Sequence, residues 1–489
     1  MPAFPSGRRT FAILTILGAM LCAGGGLAPV ASAAPVRPLV TGISNVYSNE
    51  AAAFQHVRTT GSTTALSALR WNAIAPAQQP GAWNPEDPAD PHYDWSFFDE
   101  WVKNAVGAGL TPIFDLRGAP RWAQRCTAVF GDAICDPDPA ALAAFTRAAV
   151  RRYSGSFGNL PRVRFWQALN EPNLSIFLEP QYQGGELVSP DLYRTLLDTF
   201  YGAVKSVDPS NLVVLGGLAP IAVPGYTVGP MTFARKLLCM VGGSNHPRPA
   251  KGGCGGGVDF DIFDMHPYTT GGPTHEGGRN DVEMGDIAKL KTLITAADRA
   301  GRINSVYKHT PLWITEFGWD SKPPDPGGLP MKIEKQWIAE ALYEAWRSRV
   351  SNFMWYMIDD FPPEPNVPFS ESLETGLYFW APTAAAEQPK DVMYAYRFPF
   401  VALRQGRGLK IWGRTASSRR GRVVVQALRG GRWRKLAVAR ADSAGVFSGF
   451  VHTTYGRGRK GSVRAVFRGE ASVPFPMRRV GDFRHPPFG

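Results

Sequence analysis

Cysteine is scarce in this chain, and none of its five cysteines stands in C-x-x-C or Cys/His spacing, so the ligand pattern of a zinc centre is missing. After residue 33 no apolar run reaches the roughly 18 residues that a membrane span needs, and the mature chain is expected to be soluble with no membrane span. No G-x-G-x-x-G follows the first strand-like run, which leads into Ser48-Asn49-Glu50 instead. That argues against an open dinucleotide-binding sheet. The glycines of 252–257 precede a strand where a phosphate cradle would open a helix, so they read as a flexible loop. Internal repeats and long low-complexity linkers are absent. Acidic residues almost vanish from one end: 401–489 has 20 Lys+Arg against 3 Asp+Glu, a +17 segment, which leaves −5 for the remainder.

The first residues have the order of an export signal: Arg8 and Arg9, an apolar stretch over 11–21, then Ala31-Ser32-Ala33. A signal peptide over 1–33 and a secreted, extracellular protein are therefore expected. Arg8-Arg9-Thr10-Phe11 also loosely resembles a twin-arginine signal. Cys22 falls inside this leader. Of the other four, Cys126 and Cys135 flank a short loop and Cys239 and Cys254 a glycine-rich one, so local disulfide pairing suits an oxidising compartment.

Short apolar runs alternate with longer amphipathic ones, the pattern of repeated βα units. Strands are expected over 40–47, 64–71, 111–116, 163–169, 212–216, 260–266, 312–316 and 353–358. Helices are expected over 95–108, 139–153, 190–207, 231–241, 286–300 and 331–349, and a weakly patterned one over 50–61. Eight strands with helical crossovers, and no dinucleotide fingerprint, give an α/β chain: a (β/α)8 TIM barrel over 36–402. Past Gly406 the pattern becomes alternating runs around the turn Gly430-Gly431, which reads as a small basic C-terminal β-sandwich domain over 406–489.

Two glutamates stand at the ends of strand-like runs, Glu171 in RVRFWQALNEPN and Glu316 in PLWITEFGWDS. Strand alternation groups Glu316 with Leu312 and Ile314, Glu171 with Phe165, Gln167 and Leu169, and His266 and Tyr268 with Ile262 and Asp264. If those apolar partners fill the barrel, the two acids cap it at one rim, where residues of this fold do chemistry. Asp115 and Asp264 also point inward by this parity and read as scaffold groups.

Asn170-Glu171-Pro172 ending the fourth strand, with Glu316 ending the seventh, resembles clan A (β/α)8 retaining glycoside hydrolases. Within the clan, His266-Pro267-Tyr268 and Thr315-Glu316-Phe317-Gly318-Trp319 look closest to glycoside hydrolase family 39 or a family 5-like branch. The resemblance covers roughly 38–400. It implies that Glu171 is the acid/base and Glu316 the nucleophile. It further implies that Asn170 bonds the sugar 2-hydroxyl, that Tyr268 holds the nucleophile, and that Trp355 floors the sugar site. His266 would join the substrate-binding set, and Trp122 could stack on a pyranose as Trp355 does. One departure concerns the second strand, where the clan's arginine lies several residues before the tryptophan but here Arg70 directly precedes Trp71. Its support of Glu316 is therefore open, a rim salt bridge being the other reading.

The resemblance implies a double displacement on an oligo- or polysaccharide, with the two carboxyls about 5 to 5.5 Å apart and no metal or organic cofactor. Carboxylates sharing a site push their pKa values apart, and the raised one serves as the acid. The rival is a non-catalytic carbohydrate- or cell-envelope-binding barrel protein. The basic segment suits an anionic cell-envelope polymer, and nucleic acid is not expected as a partner of an exported chain.

Overall fold

The computed structural model describes residues 37–488 except 131–132, 253–254, 366 and 370–371. The leader over 1–33 and Cys254 therefore lie outside the described residues.

Eight parallel strands form one sheet: β1 (Val40–Ile43), β2 (Thr64–Arg70), β3 (Thr111–Arg117), β4 (Phe165–Ala168), β5 (Leu212–Leu215), β6 (Phe263–Asp264), β7 (Leu312–Ile314) and β8 (Val350–Trp355). Their order is β6-β7-β8-β1-β2-β3-β4-β5. Parallel bridges Val214–Ile262 and Leu218–Met265 join the two edges, so the sheet closes into a barrel and leaves no exposed edge. Around it run α1 (Ala51–Thr59), α2 (Ser96–Gly107), α3 (Pro139–Arg152), α4 (Ser189–Val207), α5 (Pro230–Leu237), α6 (Ile287–Arg299), α7 (Met331–Arg347) and α8 (Asp391–Arg397). The stops are local: Asp138 caps α3 by accepting from Ala140 N and Ala141 N, both at 2.9 Å, and Gly301 beyond α6 takes φ +64°. The short α8, after a long excursion from β8, has no counterpart in the sequence pattern read above.

The barrel interior below the rim is a separate apolar cluster of Leu66, Ile113, Phe165, Leu212, Val214, Ile262, Trp313 and Met354. This corrects the parity expected for the seventh strand. Trp313 points inward, while Leu312 and Ile314 belong to the outer core with the helices. The register of β7 against β8 shifts between Leu312 and Trp313, and the ladder ends at Ile314. Glu316 thus reaches the rim from beyond the strand, and the alternation that seemed to aim it was misplaced.

The smaller domain is two antiparallel sheets. One has β9 (Phe400–Gln405), β10 (Gly408–Arg414) and β13 (Val446–His452); the other is built on β11 (Gly421–Arg429), β12 (Arg432–Ala441) and β14 (Ser462–Phe467). Its first strand begins at Phe400, ahead of Gly406, where the sequence pattern changes. The three-stranded sheet lies against the barrel, with Trp412 packed on Tyr343 and Trp346 of α7 at 5.8 Å each. Arg414 is buried at this junction and donates to Leu39 O at 3.0 Å and Gly61 O at 3.2 Å. A guanidinium that satisfies carbonyls of both β1's entry and the α1–β2 turn fixes the domain against the barrel's base. Disulfide Cys126–Cys135, Cα atoms 5.4 Å apart, ties the loop after β3.

Candidate active site

Glu316 follows β7, and its carboxylate accepts three hydrogen bonds at the rim. Asn45, just past β1, donates Nδ2 to Oε1 at 2.9 Å. Arg117, the last residue of β3, donates Nη2 to the same oxygen at 3.0 Å. Tyr268, beyond β6, donates its hydroxyl to Oε2 at 3.3 Å. Burial raises the Tyr268 hydroxyl well above its ordinary value and the Glu316 charge adds to that, so the phenol keeps the proton that it donates. Each donor comes from a different strand end, so the cage exists only when the barrel is closed.

Arg117 is itself oriented. Its Nε donates to Asp115 Oδ2 at 2.5 Å, and its Nη2 also reaches Asn170 Oδ1 at 2.9 Å. Burial opposes the guanidinium charge, but Asp115 and Glu316 outweigh it and hold Arg117 above its usual value. Burial likewise raises the Asp115 carboxyl, to about 6, against the pull of Arg117. One cation therefore ties the ends of β3, β4 and β7.

Glu171 follows β4 at the same rim. His266, beyond β6, lies between the two acids: Nδ1 is 3.0 Å from Glu171 Oε1 and 3.7 Å from Glu316 Oε2. Those two oxygens are thus separated by no more than the sum of the two distances, about 7 Å, a span compatible with a pair of catalytic carboxyls. The Glu171 and Glu316 side chains keep 12% and 10% of their exposure, enough to be reached from the mouth. On its other side His266 Nε2 donates to Thr315 Oγ1 at 3.0 Å, and that hydroxyl donates to Asp264. Burial alone would disfavour an imidazolium, yet Glu316, Asp264 and Glu171 raise His266 well above its ordinary 6.5. Gly217 makes room for the ring: a Cβ there would lie 2.0 Å from His266 Nε2.

Of the residues named from the sequence, Asn170, Glu171, His266, Tyr268 and Glu316 meet here. His266 requires a correction, because it is fully buried. Its ring is covered from the mouth, and what it contacts there is the Glu171 carboxyl. Trp355 requires another. Met354 is the inward residue of β8, so Trp355 points the other way and is 0% exposed. There it packs on Phe317, Trp319 and Tyr396 and donates its indole N–H to Thr375 O at 2.7 Å. The inward successor, Tyr356, bonds Tyr47 at the mouth, 2.9 Å between hydroxyls. Trp122 belongs to a cluster with Trp71 and Trp83 and donates to Pro76 O at 2.9 Å, in the loops after β2 and β3. Arg70 ends β2 exposed at the rim; the guanidinium that bonds Glu316 belongs to Arg117. Asn45 and Arg117, which both bond Glu316, are not singled out by the sequence pattern. For Arg117 a signal was present, since it shares the inward parity of Asp115 and Ile113.

Two outcomes test this arrangement. Arg117→Lys keeps a charge but loses the fork that bonds Asp115, Asn170 and Glu316 together, so any turnover supported by Glu316 should fall about 10²-fold with the fold intact by circular dichroism; unchanged turnover would remove Arg117 from the site. His266 should remain doubly protonated at about pH 7.5, read from its ring ¹⁵N shifts. Because its folded value is raised, its contribution to stability is complete below pH 6.5 and is lost as pH climbs through that higher value. A neutral ring at pH 7.5 would contradict the assignment.

The fold is that of solved glycoside hydrolases. A family 39 glycoside hydrolase from the gut symbiont Bacteroides cellulosilyticus WH2 is 16% identical, with TM-score 0.50 over 85% of this chain and 79% of that one. The GH39 enzyme from Xanthomonas axonopodis pv. citri is 15% identical, TM-score 0.46, over 88% and 97%. Bacteroides uniformis beta-glucuronidase 2 is 12% identical, TM-score 0.44, over 89% of this chain but only 46% of that one. At such identities the first likeness establishes the architecture, a TIM barrel with a further β domain. No family model and no curated protein matches the chain.

Proposed function

We propose that the chain is a retaining glycoside hydrolase that cleaves O-glycosidic bonds of oligo- or polysaccharides. The observation that carries this reading is the placing of Glu171 and Glu316 around one imidazole, with oxygens no more than about 7 Å apart, a bound that takes in the roughly 5 to 5.5 Å of a nucleophile and acid/base pair acting by double displacement. In the first step Glu316 forms a bond to that carbon while the bond to the leaving oxygen breaks and takes the Glu171 proton. In the second, Glu171 removes a proton from water, whose oxygen replaces Glu316 at the same carbon. Two inversions give net retention. The cage of Asn45, Arg117 and Tyr268 holds the Glu316 carboxylate in one orientation, and Asn170, anchored by Arg117, would bond the hydroxyl next to the reacting carbon. The leader-like first residues and the Cys126–Cys135 disulfide support secretion.

Glu316→Ala should lower turnover by about 10⁴-fold or more, and added azide should restore part of it as an α-glycosyl azide when the scissile bond is β. The product anomer, followed by NMR on a panel of chromogenic glycosides and polysaccharides, should match that of the substrate. Full activity in both Glu171→Ala and Glu316→Ala ends the reading. Glycan binding with no hydrolysis anywhere in the panel would favour a barrel that binds envelope carbohydrate without cleaving it.

One further observation favours a docking role for the small domain: Arg422, Arg429, Arg432, Arg434, Lys435 and Arg440 are all exposed on β11 and β12. Such a face suits an anionic cell-envelope polymer, attracted by bulk charge. Retention of the full chain on immobilised teichoic acid or hyaluronate should fall steeply between about 0.05 and 0.5 M salt. No retention, or none of that sensitivity, removes the docking role.

A further inference from the structure

The segment that leaves β14 does not stay with the small domain. After Phe475, paired with Val463 of β14, it runs back along the barrel. Arg479 bonds Glu340 of α7 through Nε at 2.9 Å. Asp482 Oδ1 accepts from Gly272 N at 2.6 Å, and Oδ2 pairs with His275 Nδ1 at 3.2 Å. Phe483 packs on Trp337 of α7 at 4.8 Å. His485 N donates to Thr270 O at 2.8 Å, and Asp320 N donates to Pro487 O at 2.7 Å. The strap is thereby stitched to the loops that follow β6 and β7, which bring Tyr268 and Glu316 to the site.

It ends the described chain at the mouth. The Phe488 ring lies 5.0 Å from that of Tyr268, tilted by 56°, and joins Tyr268, Tyr356, Met357, Phe361 and Leu373 in a small apolar cluster distinct from both barrel cores. Tyr268 and Tyr356 are nearly covered, whereas Phe488 is only half-buried. A pyranose presents an apolar C–H face that needs an open aromatic ring held in place. Trp355 is sealed in the core and does not supply that ring, and Trp122 stands with Trp71 and Trp83 in the loops after β2 and β3, away from the Tyr268 cluster.

Resting on the glycosidase reading above, we infer that Phe488 is a specificity-determining residue: the strap delivers its ring as the stacking wall for a pyranosyl unit of the substrate beside Tyr268. The small domain therefore contributes to the sugar site through this segment. Ordering the strap in advance at Arg479, Asp482, His485 and Pro487 means that little conformational freedom is lost when the sugar binds.

The test uses the full chain and those of the 4-nitrophenyl β-D-glucoside, xyloside, mannoside and glucuronide, with the matching trisaccharides, that the unaltered protein hydrolyses. Phe488→Ala should raise KM about 10-fold on a turned-over substrate and leave kcat within about 3-fold, the pattern of lost binding common to ground and transition states. Phe488→Trp should return KM to within about 3-fold of the original, which a merely structural role would not produce. Asp482→Ala, which frees the strap from Gly272 and His275, should raise KM in the same direction. Unchanged KM in Phe488→Ala overturns the inference, as does a fall in kcat at constant KM, which would make Phe488 a support for Tyr268 instead. If the unaltered protein hydrolyses none of these, nor any polysaccharide, it is the glycosidase reading that fails, and the stacking role falls with it.

Discussion

A carboxylate with little access to water must be met by donors, and at Glu316 they arrive from three strands that are far apart in the chain. Asn45 and Tyr268 follow β1 and β6 and Arg117 ends β3, and each bond to a charged group is worth about 1.5–3 kcal/mol when made. Lacking them, a largely buried carboxylate would be left without partners for its lone pairs. The closed barrel is the device that supplies them together. Its lower interior is filled by Leu66, Ile113, Val214, Trp313 and their neighbours, so the strand ends cannot drift relative to one another, and the rim inherits that rigidity.

The same constraint explains the buried ionic chain around the cage. Arg117 and Asp115 would each be costly to bury alone, but each answers the other, and Arg117 so held reaches Glu316. His266, Thr315 and Asp264 form a second relay that ends on Glu171. Buried charges are tolerated where every partner is present. Both relays cross between strands, so they also report whether the barrel has closed in register.

The barrel, its strand order and the two acids were legible because they are written as local patterns: alternation of element types, Asn-Glu-Pro after one strand, Thr-Glu-Phe-Gly-Trp after another. What failed to read was whatever depends on facing. Trp355 looked like a platform because it ends a strand beside the mouth, yet its side chain turns outward with Phe353, not inward with Met354. Leu312 and Ile314 looked like barrel filling because the register shift in β7 leaves no trace in composition. Arg117 shares the inward parity of Ile113 and Asp115, but an arginine at a strand end has the same local pattern whether it faces the mouth or, as Arg70 does, solvent. His266 was placed correctly and its burial was not, since a fully covered histidine and an open one have the same sequence neighbourhood. The return of residues 478–488 to the barrel has no local signature either.

Backbone conformation marks the same place independently. Of nine non-glycine residues with positive φ among those described, Asn45, Leu169 and Glu171 lie at this rim, at 47°, 71° and 39°. Leucine and glutamate gain nothing from the left-handed region, and each such residue costs on the order of 1–3 kcal/mol. Something must hold them there. Leu169 is fully buried in the outer core, Asn45 donates to Glu316, and Glu171 is bonded to His266. Two left-handed residues within three positions also explain how β4 can turn Leu169 outward and still bring Asn170 to Arg117 and Glu171 to His266, which no regular strand could do. The strain is the cost of presenting consecutive residues to one depression, and it falls where both proposed acids and their supports converge.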